Sequence, residues 1–413
     1  MMSTLVCAIG VVVLLFFRRL YEQVPLHMDT GYFVSNSTIH HRRWSYRDGW
    51  GSWASLCGRL IPEFVYSHLF LLGRPGVAAD YKRNFRRFDT CMGLVFAAGV
   101  AVLAPRYAVS PAYAFLAAFT LVSLPVLGVF YESCEKFSIV LWVYAWAALL
   151  SGVPWLAVTG AALLWIDVFF VKATSWPVAC AASAWALWAF GLPVVLAGAI
   201  PALLWMALVV SCGQDLRSLL GVVRRHQSFL KGGKTWLVIL SEKAWMIYRQ
   251  VALPYVLVIL FLSKGHADVL FGVFFVGGFL SMVMQPNDVW YFTIVLVPAL
   301  ALSTGAFPVL LAIVAVYTLL DATVDEWTRY ELMWIPHRNS IEWRVDWAID
   351  KTFEVQPHTR PIFVDGPWTQ IYILAGEAYP TKYIANAPWM LACANKDSIM
   401  LEGVTTIRVE AEL

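Results

Sequence analysis

Charge is what this sequence has least of. Asp, Glu, Lys and Arg make up 14% of its 413 residues, against about 25% in an ordinary soluble domain. Apolar residues reach 60% and mean hydropathy is +0.66. So few charges cannot cover so much apolar surface, which excludes water as the main solvent of the fold. The net charge of +3 is too small an excess to draw nucleic acid. Cysteine pairing motifs are missing too: the seven cysteines include no CxxC and no His/Cys cluster at zinc spacing. Cys7, Cys91, Cys180 and Cys212 lie in apolar runs as small hydrophobes, while Cys57 and Cys393 fall in polar segments and could pair in an oxidising compartment. A P-loop, a G-x-G-x-x-G at a strand–helix junction, a G-x-S-x-G elbow and an H-E-x-x-H are all absent, so soluble nucleotide chemistry of the usual kinds has no support. The 15% aromatic content and the want of a heptad or Gly-X-Y repeat exclude disorder, coiled coil and collagen. A polytopic α-helical membrane protein remains.

A transmembrane helix needs about 20 apolar residues, or about 17 inside a bundle. Runs of this kind begin at 3–17, which stops at Arg18 and Arg19, lacks a basic n-region and a cleavage site, and reads as an uncleaved first span. They continue at 88–104, 111–130, 136–151, 154–171, 176–191 and 192–212, break at a basic loop (213–235), and resume at 245–263, 268–284, 289–303 and 307–321. The count is about eleven spans in a domain covering 1–320, with a first outer loop over about 20–87 and a soluble tail over 321–413. An odd number of spans puts the tail on the side of the first loop, opposite the N-terminus. The segment 54–73 is long enough to span, but Arg59, Glu63 and His68 interrupt it at helical spacing. Charges at the bilayer centre cost about 2.5–3.5 kcal/mol each, so the segment reads as a juxtamembrane helix at the interface. Lys82, Arg83, Arg86 and Arg87 argue the other way, because such a cluster normally marks a cytoplasmic loop. In the tail, a proline-opened β-type run (360–365), a Gly366-Pro367 turn, a short helix (368–375) ended by Gly376 and a second strand near 382–384 read as a small α/β module.

Few residues are equipped for chemistry. Asp29, among His27, Gly31 and Tyr32 just beyond the first span, suits a general base at the membrane surface, although a solvated loop aspartate looks the same. Glu132, Glu135 and Lys136 form a polar knot between two apolar runs, either an interfacial anchor or a second acid facing the compartment of Asp29. Asp167 and Lys172 are embedded in an apolar run, where ionisable residues usually face a bundle interior or cavity. Lys172 could snorkel to headgroups or hold a lipid phosphate. Gln285, Asp288, Trp290 and Tyr291 combine an amide, an acid and aromatics, which is equipment for gripping a sugar, while Trp and Tyr also gather at every membrane interface. Asn36 opens an N-glycosylation sequon, a frequent chance match.

In this order the pieces resemble the GT-C superfamily of integral-membrane glycosyltransferases, and within it the protein O-mannosyltransferase and aminoarabinose-transferase branch. Such enzymes carry an acid near the start of the first outer loop, as Asp29 does, then a juxtamembrane helix and a glycine and arginine opening the second span, matched by Gly73 and by Arg87 or, alternatively, Arg83. Their second outer loop carries an acid, here Glu132, and a later span ends in lysine–x–threonine, here Lys172 and Thr174. A polar loop, a tyrosine and an apolar run with proline correspond to Trp290, Tyr291 and Pro298; a tail with an I-Y-x-L-x-G segment corresponds to Ile371, Tyr372 and Gly376. The chain departs from the pattern in having a single acid, Asp29, in place of a pair, and in carrying Asp167 where family members are apolar.

The resemblance implies an inverting glycosyltransferase that takes its sugar from a polyprenyl- or dolichyl-phosphate donor. The acceptor is a hydroxyl on protein, lipid or glycan, and the site faces the extracytoplasmic side of a bacterial or archaeal plasma membrane or of the endoplasmic reticulum. Asp29 and Glu132 would be catalytic, Lys172, Arg87 and Arg83 would serve the donor phosphate, and Tyr32, Gln285, Asp288, Trp290, Tyr291 and Tyr372 the sugar or acceptor. Some relatives with two acidic motifs use a divalent metal; no dense ligand cluster is visible in this sequence. The competing readings are a transporter or flippase of a lipid-linked substrate, for which no internal repeat is found, and a non-catalytic assembly subunit.

Overall fold

The computed structural model describes residues 60–73, 78–123, 134–211, 233–285, 294–309, 311–312, 362–365 and 405–408, with scattered positions between 5 and 15 and at 217 and 231. These residues are mostly helical. The helices are α1 (Leu60–Leu71), α2 (Ala78–Leu103), α3 (Pro111–Ser123), α4 (Cys134–Leu150), α5 (Pro154–Ile166), α6 (Trp176–Phe190), α7 (Pro193–Ser211), α8 (Trp236–Ser263), α9 (Val269–Val283) and α10 (Val297–Gly305). Two short strands, β1 (Ile362–Asp365) and β2 (Thr405–Arg408), pair in parallel with Ile362 opposite Thr405. The stretches Arg83–Tyr107 and Pro154–Val171 are long and apolar enough to cross a membrane, and several other helices are apolar but shorter.

Local chemistry sets the helix starts. Pro111, Pro154 and Pro193 open α3, α5 and α7, where a missing N–H costs nothing. Asp268 caps α9 by accepting from Phe271 N at 2.8 Å, and Thr235 caps α8 by accepting from Val238 N at 3.4 Å. Gly191 ends α6 at φ +81°, a left-handed region that a side chain would strain. Gly160 serves packing instead: a Cβ there would lie 2.7 Å from the carbonyl oxygen of Ala145, so its absence lets α4 and α5 touch backbone to backbone.

The core is mainly apolar, with Phe96, Phe119, Trp142 and Trp146 fully buried, but charged side chains are enclosed as well. Glu63, Asp80, Arg86, Asp89, Glu135, Lys136, Asp167 and Lys243 are buried. Trp188, Leu192, Leu196, Ile200, Leu237 and Val238 stand exposed on α6, α7 and α8, or between α6 and α7. Exposed apolar surface on this scale marks a face that meets a membrane or a partner protein.

Side-chain contacts fix the directions of the helices. Lys136 meets Asp89, and Tyr144 OH donates to the backbone oxygen of Val95, so α2 and α4 run parallel. Ser138 near the start of α4 bonds Asp167 just after α5, so those two run antiparallel. At one end of the bundle, the opposite end hereafter, Trp146 Nε1 donates to Tyr107 OH at 2.9 Å, and that hydroxyl donates to Asp268 Oδ1 at 2.9 Å. This relay ties α4, the turn after α2 and the start of α9. At the other end, the site end, lie the first turn of α4, the connection from α5 to α6, and the finish of α9.

Candidate functional site

The site end is organised by a break in helix geometry. After Ile166 the chain passes into a π-turn, Asp167–Val171, closed by Lys172 N donating to Asp167 O at 2.7 Å. Lys172 then leaves in an extended conformation, φ −156°, before a 3₁₀ turn leads into α6. Single π-turns inside α-helices are uncommon and concentrate at functional sites. Here the turn buries Asp167 and delivers Lys172 to the bundle interior. Asp167 Oδ1 accepts from Ser138 Oγ and Oδ2 from Trp142 Nε1, each at 2.7 Å.

Two ion pairs diverge from the first turn of α4. Glu135 points to one side and forms a salt bridge with Lys172, whose ammonium also donates to Gln285 Oε1 at 3.2 Å. Lys136 points about 100° further round the helix and meets Asp89 Oδ2 at 2.9 Å. Asp89 also accepts from Tyr66 OH at 3.4 Å and lies 4.0 Å from Arg86 Nη1. Tyr66 is held by edge contacts with Phe85, Phe88 and Phe137, which roof the second pair. A small cleft beside Asp89 and Lys136, lined also by Phe96, Val122 and Ile294, has room for about one water. Lys136 and Lys172 thus each face a buried carboxylate, Asp89 and Glu135. A charge left uncompensated in this setting would cost several kcal/mol.

Of the residues singled out from the sequence, Lys172 and Gln285 are brought together. Gln285 therefore serves the cation here, with its other side-chain atom, Nε2, left without a hydrogen-bond partner among the described residues. Arg83 is largely exposed and pairs with Asp80 at 2.6 Å, one helical turn away, and Arg87 is exposed. Asp29, Tyr32, Glu132, Asp288, Trp290, Tyr291 and Tyr372 lie outside the described residues.

Sequence reasoning misses the partners. Asp89 is hidden inside the run at 88–104, and Arg86 reads only as a loop marker. The available signal is their spacing: an arginine and an acid at i and i+3 at the head of an apolar run share one helical face. Among the described residues no group of three His, Cys, Asp or Glu side chains could hold a metal ion. Chemically, the arrangement holds an ammonium between a carboxylate and an amide oxygen, with one amide donor idle among the described residues. No protein-family model matches the chain, and no curated protein matches it either.

Proposed function

We propose that the chain is a polytopic membrane protein of about eleven spans and an inverting, lipid-phosphate-dependent glycosyltransferase of the GT-C type. The observation that carries the reading is Lys172, brought by a π-turn to a polar, buried end of an otherwise apolar bundle beside Gln285. A cation in that position suits the phosphate of a membrane-embedded donor, and electrostatic stabilisation of a departing phosphate usually contributes most to catalysis of this kind. The exposed apolar faces of α6, α7 and α8 support the membrane setting.

In this mechanism the donor is a sugar on a polyprenyl or dolichyl phosphate. Asp29 takes the proton of an acceptor hydroxyl, the oxygen attacks the anomeric carbon in line, and the lipid phosphate leaves with inversion. Glu132, Arg87 and Arg83 belong to the same extracytoplasmic surface, with the sugar or acceptor gripped by Tyr32, Asp288, Trp290, Tyr291 and Tyr372. The tail over 321–413 stands on that side as a small α/β module.

The test is transfer in proteoliposomes supplied with a polyprenyl-phosphate sugar, reading released lipid phosphate. Asp29→Asn keeps the size of the side chain but cannot act as the base, and should lower turnover by at least about a hundredfold. Lys172→Met should lower it tenfold to a hundredfold, the value of about 1.5–3 kcal/mol for a charge-assisted contact. Full turnover in both variants would remove the mechanism. A second reading, a transporter of a lipid-linked substrate, is favoured by the buried ion pairs of α2 and α4. It requires movement of labelled lipid across the bilayer with no release of lipid phosphate.

A further inference from the structure

Lys172 is not waiting empty. Its ammonium is engaged by Glu135, a buried carboxylate from the first turn of α4, and by the side-chain oxygen of Gln285 at 3.2 Å. Gln285 is 8% exposed, yet its Nε2 has no hydrogen-bond partner among the described residues. Thr174, two positions beyond Lys172, has a buried hydroxyl in the same condition. Buried polar groups in native proteins are nearly always satisfied, and one that is idle calls for a ligand that satisfies it.

We infer that Glu135 is a resident stand-in for an oxygen of a phosphate monoester. Its carboxylate holds the place on Lys172 that the phosphate takes, with Gln285 Nε2 as the second donor, and binding exchanges one anion for the other. The inference rests on the phosphate role proposed for Lys172. The physical reason is symmetrical. Lys172 is only 10% exposed, and a cation so placed is costly unless an anion accompanies it; Glu135 supplies one while no phosphate is bound. The same carboxylate then competes with every arriving phosphate, so it weakens binding and hastens departure. That suits a site whose product is a phosphate that must leave.

The experiment measures equilibrium binding of undecaprenyl phosphate to the full chain in phosphatidylcholine nanodiscs by native mass spectrometry, with inorganic phosphate in a parallel arm. Glu135→Gln removes the competing charge and should tighten undecaprenyl phosphate by about tenfold or more. Lys172→Met should abolish binding with or without Glu135→Gln, and Gln285→Leu should weaken it several-fold. Tightening of the lipid alone assigns a lipid headgroup; equal tightening of inorganic phosphate assigns a free anion, and both support the exchange. Unchanged or weaker binding in folded Glu135→Gln overturns it. If that variant folds poorly, Glu135→Asp, which withdraws the carboxylate by one methylene, is expected to move affinity in the same direction. Failure of wild-type protein to transfer sugar, with the tightening intact, refutes the transferase and leaves the exchange standing. Sugar transfer with no tightening does the reverse.

Discussion

Asp167 and Asp89 are both buried carboxylates, but they are built differently and should fail differently. Asp167 is held by two neutral donors, Ser138 Oγ and Trp142 Nε1. Asn can keep its oxygen on Trp142 and turn its amide to the Ser138 hydroxyl, which accepts as readily as it donates. Asp167→Asn should therefore be nearly neutral, whereas Asp167→Leu strands the Trp142 N–H and should cost about 1–3 kcal/mol more. Unfolding of the two variants in detergent, followed by denaturant titration, checks the order. Asp89 is held by charge: Lys136 at 2.9 Å with Arg86 at 4.0 Å behind it. Lys136→Met should cost about 3–5 kcal/mol, as expected when a buried pair is broken from one side, towards the lower figure because Arg86 remains. Arg87→Met, one position further along an exposed face, should stay within about 0.5 kcal/mol of wild type. A similar loss from both substitutions would mean that the buried cluster carries no special share of stability.

At the scale of elements, the helices are legible in the sequence and their polar faces are not. The apolar runs at 136–151, 154–171, 176–191, 192–212 and 268–284 all coincide with helices to within two residues, the run at 154–171 taking in the π-turn. Composition and proline punctuation decide helix ends locally, and both are visible in one dimension. Other runs fit less closely: α2 begins ten residues before the run at 88–104, at Ala78, and α8 begins nine residues before the run at 245–263, at Trp236. The early turns of α2 carry the exposed Arg83 and Arg87, and Asp89, just inside the apolar run, turns to Tyr66 and Lys136. The site is harder still. Lys172 and Gln285 stand 113 positions apart and Asp89 and Lys136 are joined only by the parallel packing of α2 on α4. The π-turn leaves no mark either, because a five-residue helical turn has no composition of its own. What an element does require is close approach: Gly160→Ala would set a methyl 2.7 Å from Ala145 O and push α5 off α4. A loss of about 1–3 kcal/mol is expected, as for other overpacked contacts, and wild-type stability in this variant would show that the pair slides freely.

For the whole molecule, the helix directions separate two sets of connections. Ser151, between α4 and α5, belongs to the opposite end, and Ala173, between α5 and α6, to the site end. In a cysteine-free background reconstituted in vesicles, Ser151→Cys and Ala173→Cys should label with impermeant reagent from opposite sides of the membrane. Labelling of both from one side would mean that α5 does not cross, and the proposed count of spans would fall with it. The relay from Trp146 through Tyr107 to Asp268 gives this layout a mechanical consequence. Pinned there, α4 can move chiefly by pivoting, as a lever whose fulcrum is the opposite end and whose tip carries Glu135. From Trp146 back to Glu135 the helix gives an arm of about 16 Å. A swing of about 7° then displaces the tip by about 2 Å, close to the difference between a bonded and a parted ion pair.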